Sequence, residues 1–265
     1  MPNRKNLAVS FSAEELLITL KSLGADRMIG LDLDADPSPS EREVALVART
    51  AMNALIARGF FKPAPEQQLR LEPTVAGIIG PCVFPEVSVI VTHNRTDRPR
   101  ELLFSHSARR ITVMHTIPLE GIHQFIVVED HKAIARAIIS LVSFDTQELL
   151  TDCPPGKLPQ SKVTEAKEAA VNGAESARLV LGKTILPKST AKFFGSALAE
   201  PISNTTIIRL NHNSTADNSD GFTIFYGADT LWKLKPNRQD EDLVDLHPIS
   251  SAQVIEEIKH LLGIV

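Results

Sequence analysis

Apolar residues recur at helical spacing in several segments, and serine caps mark where some of these helices begin. Residues 13–23 place Leu16 and Leu20 on one face, and Ser12 with Glu15 has the spacing of a capping box. The same periodicity predicts further helices, two of them with capping boxes, at residues 41–58, about 74–82, 131–142, 161–181, 189–198 and 251–262.

Two of these helices carry expectations about packing. The helix at 41–58 is expected to face the core along an apolar stripe made of Val44, Val47, Ala48, Ala51, Leu55 and Ile56. The helix at 161–181 is expected to be continuous, with a small inner face that allows close packing.

Runs rich in β-branched residues, separated by short polar turns, predict two groups of four strands. The first group covers residues 87–92, 102–105, 110–117 and 123–129, and the second covers 205–210, 223–226, 230–234 and 242–246. The elements follow the same order in both parts of the chain, which indicates an internal repeat. The alternative is the coincidence of two common meander-plus-helix units.

The predicted fold class is therefore α+β. It consists of two pseudo-symmetric halves, each a four-stranded, mainly antiparallel sheet with packed helices. We assign the first half to residues 1–144 and the second to 161–265, and a proline-rich linker to 145–160.

Composition and charge narrow the class of protein. The chain has 265 residues, of which 43% are hydrophobic and 23% charged, as in ordinary globular proteins. Its net charge of −4 makes nucleic-acid binding through bulk positive charge an unfavourable interpretation. Two cysteines, Cys82 and Cys153, cannot form a disulfide framework; the first is expected in the core and the second at the surface.

Neither a signal peptide nor a membrane-spanning segment is expected. The first residues include Arg4 and Lys5 but lead into no apolar stretch, and no run reaches 18 apolar residues. The expected location is the cytoplasm.

No catalytic, cofactor-binding or metal-binding motif is recognised. Nucleotide loops, a nucleophile elbow and the usual zinc spacings are all missing from the sequence. Five histidines are clustered, and those at 115 and 123 could approach each other on neighbouring strands, which leaves a metal site open. The expectation is instead that they lie at strand ends and solvated faces: His93, His106, His115, His123 and His131.

Candidate partner-binding residues come from one basic cluster and one aromatic residue. The cluster is either a solvated hairpin tip or a surface that recognises an acidic partner. Trp232 is either a partly buried sheet residue or an interface anchor. The candidates are Arg95, Arg98, Arg100, Arg109 and Trp232.

Residues 7–17 read Leu-Ala-Val-Ser-Phe-Ser-Ala-Glu-Glu-Leu-Leu, and residues 54–61 read Ala-Leu-Ile-Ala-Arg-Gly-Phe-Phe. Residues 71–73 read Leu-Glu-Pro, and residues 83–86 read Val-Phe-Pro-Glu. In this order the stretches resemble the EspG family of type VII (ESX) secretion-associated proteins, which have an "L-x-A-R-G-L" helix end before a "D/E-P" helix start. The likeness covers most of the chain as layout, with few identities.

The resemblance implies a pseudo-twofold pair of α+β halves and a cytosolic adaptor or chaperone without enzymatic activity. Such a protein binds secretion substrates by protein–protein contact, here a helical protein partner, and needs no cofactor. In that family the long loop after the first strand of the sheet and the C-terminal helical part face the substrate. The matching loop here is 94–100.

Two other functions stay open. Residues 41–82 could form the DNA-binding part of a winged-helix-like transcriptional regulator, although its wing would have only Lys62 and Arg70 as cations. The chain could also be an enzyme without a recognisable motif.

Overall fold

The computed structural model describes residues 7–31, 40–65, 68–142, 153–213, 219–227 and 230–264. The chain is an α+β protein, and its described part has eight helices: α1 Ala13–Ser22, α2 Glu41–Ala57, α3 Pro73–Val83, α4 His131–Val142, α5 Gln160–Ala170, α6 Ala174–Leu181, α7 Lys188–Ala199 and α8 Ser251–Leu261. The same part has twelve strands: β1 Ala8–Ser12, β2 Phe61–Pro63, β3 Leu69–Leu71, β4 Val87–Arg95, β5 Arg98–Ala108, β6 Ile111–Leu119, β7 Ile122–Val128, β8 Gly156–Pro159, β9 Pro201–Asn211, β10 Ser219–Gly227, β11 Leu231–Pro236 and β12 Leu243–Pro248.

Ten of the described strands form one large antiparallel sheet, in the order β1-β7-β6-β5-β4-β9-β10-β11-β12-β8. The other two, β2 and β3, form a short hairpin of their own. The sequence predicts all eight inner strands of the large sheet but neither of its edge strands. Strand β8 falls in the predicted linker, because its glycine and proline are typical of loops and are tolerated at a sheet edge.

The strand order reads alike from both edges. Strand β1 precedes α1 and pairs with β7, while β8 precedes α5 and pairs with β12. This correspondence gives each predicted half five strands, one more than the sequence suggests. The internal repeat and the division at 1–144, 145–160 and 161–265 stay predictions, and residues 145–152 lie outside the described residues.

The chain divides into two compact units, each built from segments that are separate in the sequence. Unit 1 comprises Met1–Val89, Leu103–Ile134 and Leu210–Asn218. Unit 2 comprises Ile90–Leu102, Ala135–Arg209 and Ser219–Val265.

Unit 1 has a core between the helices α1, α2 and α3 and the strands β1, β6 and β7. Phe11 is 1% exposed, and its ring centroid lies 5.2 Å from that of Phe60 and 5.9 Å from that of Phe125. Around these rings pack the aliphatic side chains of the three helices, including Leu16, Leu20, Leu55, Val75, Ile78 and Ile79. Cys82 is buried here, as predicted.

Unit 2 has a second core, in which α5, α6 and α7 pack against β8, β10, β11 and β12. Its centre is Trp232, which is 0% exposed and lies 5.5 Å from the ring of Phe194. The Trp232 Nε1 donates a hydrogen bond to Thr230 Oγ1 at 2.8 Å, so its polar group is satisfied inside the core. Cys153 is also buried in this core, contrary to the prediction that it is exposed.

Two helix predictions need correction. The predicted helix 161–181 is interrupted after Ala170, because Gly173 has φ 103° and begins α6 as a separate helix. In α2 the predicted apolar stripe is buried only at Ala51 and Leu55, while Val44 and Val47 are 51% and 45% exposed. The capping boxes at the starts of α1, α2 and α8 are all present, as predicted.

Candidate partner-binding surfaces

The predicted polar loop at 94–100 is a tight hairpin in unit 2. Strand β4 ends at Arg95 and β5 begins at Arg98, so only Thr96 and Asp97 form the turn. The turn is anchored by a hydrogen bond from the Thr96 amide to the Ile202 carbonyl at 3.4 Å. The long loop implied by the family resemblance is therefore short here.

One aspartate organises the arginines at this hairpin. Arg95 Nε donates to Asp97 Oδ1 at 2.8 Å and its Nη2 donates to Oδ2 at 3.2 Å, while Arg98 Nε lies 3.7 Å from Oδ1. The hydrogen bond from Arg95 lowers the pKa of the Asp97 carboxyl. Arg100 is exposed, so three arginines and one aspartate between residues 95 and 100 leave a local charge of +2.

Arg109 lies at the opposite end of β5 from this hairpin. It follows Ala108 in the two-residue turn between β5 and β6, where Arg109 and Arg110 have φ values of 47° and 69°. A strand of this length separates its ends by roughly 30 Å at about 3.3 Å per residue. The structure therefore groups Arg95, Arg98 and Arg100 and leaves Arg109 apart.

The side chain of Trp232 has no exposed surface that a partner could contact. Its side chain lies at the centre of the unit 2 core and is 0% exposed, which agrees with a sheet residue. An interface anchor needs an exposed ring, so the burial of Trp232 corrects that interpretation.

A set of exposed apolar side chains flanks α6, and the sequence analysis missed it. Val171 lies in the turn before α6, Leu179 on its outer face and Ile185 in the turn after it, with exposed fractions of 88%, 61% and 87%. The missed signal is the pair Gly173 and Gly182 at the two ends of α6, which places the flanking residues in turns. Contiguous apolar patches, rather than single exposed side chains, are typical of interaction sites.

Four of the five clustered histidines are buried, contrary to the expectation of solvated faces, while His131 is half-buried. His93, His106, His115 and His123 are between 0% and 4% exposed. His115 and His123 meet, which the sequence left open, with Nε2 and Nδ1 3.0 Å apart. The described part of the chain contains no group of three or more metal-ligating side chains.

The buried histidines of unit 1 form a stack with phenylalanines. The ring of His115 lies 5.0 Å from Phe104 and 4.5 Å from Phe125. Burial lowers the pKa of His106 to about 4 and that of His115 to about 2, so both rings are neutral at pH 7. In the described residues, His106 Nε2 and His115 Nδ1 have no hydrogen-bond partner.

The segment 41–82 contains α2, the β2–β3 hairpin and α3. Lys62 pairs with Arg70 across the hairpin, and these are the two cations of the wing in the DNA-binding alternative. Helix α3 buries Val75, Ile78 and Ile79, so most of its apolar surface packs inside unit 1. Across the described ranges, no helix is long and apolar enough to cross a lipid bilayer.

Comparison with known proteins identifies the fold. No protein-family model matches the chain. No curated protein matches it in sequence. Among solved structures, the chain is similar to the type VII secretion system chaperone EspG5 of Mycobacterium tuberculosis, which was solved in complex with the PE25–PPE41 dimer. The TM-score is 0.66 and the sequence identity is 11%, and the match covers 98% of this chain and 97% of that one. The chain therefore has the fold of this EspG chaperone, as the resemblance in its sequence predicted.

Proposed function

We propose that this chain is a non-enzymatic, cytoplasmic chaperone or adaptor that binds a secretion substrate by protein–protein contact, with a helical protein as its partner. The observation that carries the proposal is the likeness of fold to EspG5 along 98% of the chain, since EspG5 was solved bound to a protein dimer. A fold hosts many functions, so the binding surface has to be argued from this chain's own residues.

The exposed apolar side chains beside α6 are the first part of the proposed surface. In the free protein, water contacts the apolar side chains of Val171, Leu179 and Ile185. Burial of such side chains against a partner is favourable by about 25 cal/mol per Å² of apolar area. We propose that the apolar face of a helical partner packs against these side chains.

The basic hairpin is the second part, and it belongs to the same compact unit. Asp97 holds the guanidinium of Arg95 by two hydrogen bonds, which reduces the side-chain entropy that binding would cost. Arg98 and Arg100 are exposed and carry the excess positive charge. We assign to them the recognition of acidic residues on the partner, which steers association and sets its orientation.

The experiment is affinity capture from a lysate of the native host, with identification of the retained proteins by mass spectrometry. A stoichiometric helical protein of the secreted type is the expected product. Leu179→Asp and the double substitution Arg98→Glu/Arg100→Glu should each weaken its capture about tenfold or more, since each removes contacts that the proposed surface makes with the partner.

The matched controls lie in unit 1. Leu119, the last residue of β6, is 69% exposed, and Leu119→Asp adds the same charge to a similarly exposed apolar site. Arg110→Glu reverses a charge at the β5–β6 turn. Capture that falls equally in the controls, or no retained partner at low salt, would contradict the proposal; a salt-dependent shift of DNA would favour the winged-helix alternative.

A further inference from the structure

A groove of about 510 Å³ lies in unit 1, and the proposed function makes no use of it. One wall is the strand β1 with the start of α1, and the other is α2. Leu46, Val47 and Ala54 line the helix wall, Phe11 lies in the strand wall, and the surface between them is mostly apolar.

The apolar character continues onto the exposed part of α2. Residues 41–50 are all exposed, and Leu46 and Val47 are 52% and 45% exposed. Val47 lies one turn before the buried Ala51 and therefore on the same face of α2. This face packs in the core at the end of the helix and is exposed at its beginning. In the described part of the chain, nothing covers this face.

The other wall of the groove is an edge of the large sheet. Among the described strands, β1 stands first in the order and pairs with β7 alone. The Val127 amide donates to the Leu7 carbonyl, so alternation directs the backbone groups of Ala8, Ser10 and Ser12 away from β7. An edge of this kind is a template for one more strand.

This edge is partly closed by side chains of its own unit. Arg58 donates to the Ser10 carbonyl, and the Ser12 amide donates to Glu15 Oε2 at 3.0 Å. The backbone of Ala8 and the amide of Ser10 remain directed outward. These two contacts block the edge towards Ser12, so that a short segment can be added beside β1 but a long one cannot.

The charges at the groove select the kind of segment. Of the three charged residues that line the groove, Arg58 is ion-paired with Glu15, which leaves Glu14 and an excess charge of −1, while the charges of Glu41, Arg42, Glu43 and Arg49 on the exposed part of α2 balance one another. The segment 32–39, which precedes α2 in the sequence, contains three aspartates and has the same sign. A basic segment from another protein complements this surface.

We propose that this groove binds a short extended segment of a partner protein, which adds to β1 as an edge strand. Its backbone pairs with the outward groups of Ala8 and Ser10. Its alternate apolar side chains pack against Leu46 and Val47, and a lysine or arginine approaches Glu14. In this mode the main chain supplies affinity and the alternate side chains supply specificity.

The test uses the full chain and a labelled peptide, acetyl-Lys-Val-Thr-Val-Thr-Val-amide, followed by fluorescence anisotropy. Saturable binding with a dissociation constant below about 1 mM is expected. Leu46→Asp should weaken it about tenfold or more, and Glu14→Gln about two- to fivefold at low salt. Phe84→Asp, at an exposed apolar site that does not line the groove, is the control and should leave it unchanged.

A second peptide tests the backbone pairing. N-methylation of the amides on one edge of the peptide removes donors without removing side chains, and methylation of one of the two edges should abolish binding. The proposal is overturned if no saturable binding is seen up to about 1 mM. It is also overturned if peptides methylated on either edge bind equally well, or if Leu46→Asp acts only by dissociating a dimer of the chain.

Discussion

Arg58 Nη1 lies 2.7 Å from Glu15 Oε2, and this ion pair joins the residue after α2 to the first turn of α1 across 43 positions of the chain. The guanidinium also lies 4.4 Å from the ring centroid of Phe60 and donates to the carbonyl of Ser10. One side chain thus ties together β1, α1 and the end of α2. This arrangement gives a physical reason for the arginine in the Ala-Arg-Gly stretch at 57–59.

Replacement of this arginine tests its structural role. Arg58→Ala should lower the free energy of unfolding by about 1–2 kcal/mol, because it removes a half-exposed ion pair, a hydrogen bond and a ring contact. The measurement is urea unfolding followed by circular dichroism. Arg49→Ala, an exposed site in the same helix, is the control, and an equal loss in both variants would contradict the role.

The buried histidines predict a dependence of stability on acid. His106 and His115 are neutral in the folded chain because burial lowers their pKa to about 4 and about 2, whereas in the unfolded chain each titrates near pH 6.5. Stability should therefore be complete above about pH 7 and fall as the pH drops from about 6.5 towards 4, since only the unfolded chain binds protons there. His106 alone should contribute on the order of 3 kcal/mol to this loss.

Urea unfolding at a series of pH values measures this dependence. His115→Phe keeps an aromatic ring between Phe104 and Phe125 and removes one titrating group, so the slope below pH 6.5 should become shallower. Substitution of the exposed His247 by glutamine controls for the loss of an imidazole. An unchanged slope in His115→Phe would show that this ring does not carry the effect.

Gly30 is predicted to tolerate no side chain. It has φ +88°, and a Cβ there would lie 2.7 Å from Phe104 Cε2 and 2.9 Å from His115 Cε1. Gly24 has a similar φ of +77° but open space around it, so Gly24→Ala measures the backbone cost alone. We expect Gly24→Ala to lose about 1 kcal/mol and Gly30→Ala a further 1–3 kcal/mol in thermal or urea unfolding. Equal losses would mean that the rings move aside freely.

The turn between β5 and β6 is built from residues that do not favour it. Arg109 and Arg110 both have positive φ values, as a type I′ turn requires, and asparagine followed by glycine is the preferred pair there. Arg109→Asn/Arg110→Gly should raise the free energy of unfolding by about 1 kcal/mol, seen as a higher melting temperature. A lower melting temperature would indicate that the arginine side chains make stabilising contacts that outweigh the backbone cost.

Much of the fold depends on local sequence patterns, and those parts could be predicted from the sequence. The capping pair Ser12 and Glu15, the β-branched runs of the inner strands and the burial of Cys82 all follow from neighbours in the sequence. The contact between His115 and His123 was left open by the sequence, and it forms because adjacent strands bring such positions together.

The parts that were missed depend on tertiary contacts. Strand β8 has a loop-like sequence and is a strand only because β12 lies beside it. Val47 has the spacing of a core residue but is exposed, since α2 extends beyond the elements that cover Leu55. The exposure of the apolar side chains around α6 depends on the interruption of the predicted helix 161–181. The prediction of one continuous helix did not indicate that these side chains are exposed.

Amide hydrogen exchange of the chain, alone and with the protein that it captures, tests the central claim most directly. A chaperone or adaptor that binds through unit 2 should gain protection at the β4–β5 hairpin, around Arg98 and Arg100, and along α6 with the turns at Val171 and Ile185. Protection confined to other parts of the chain, or no change in exchange at a saturating concentration of the captured protein, would contradict the account.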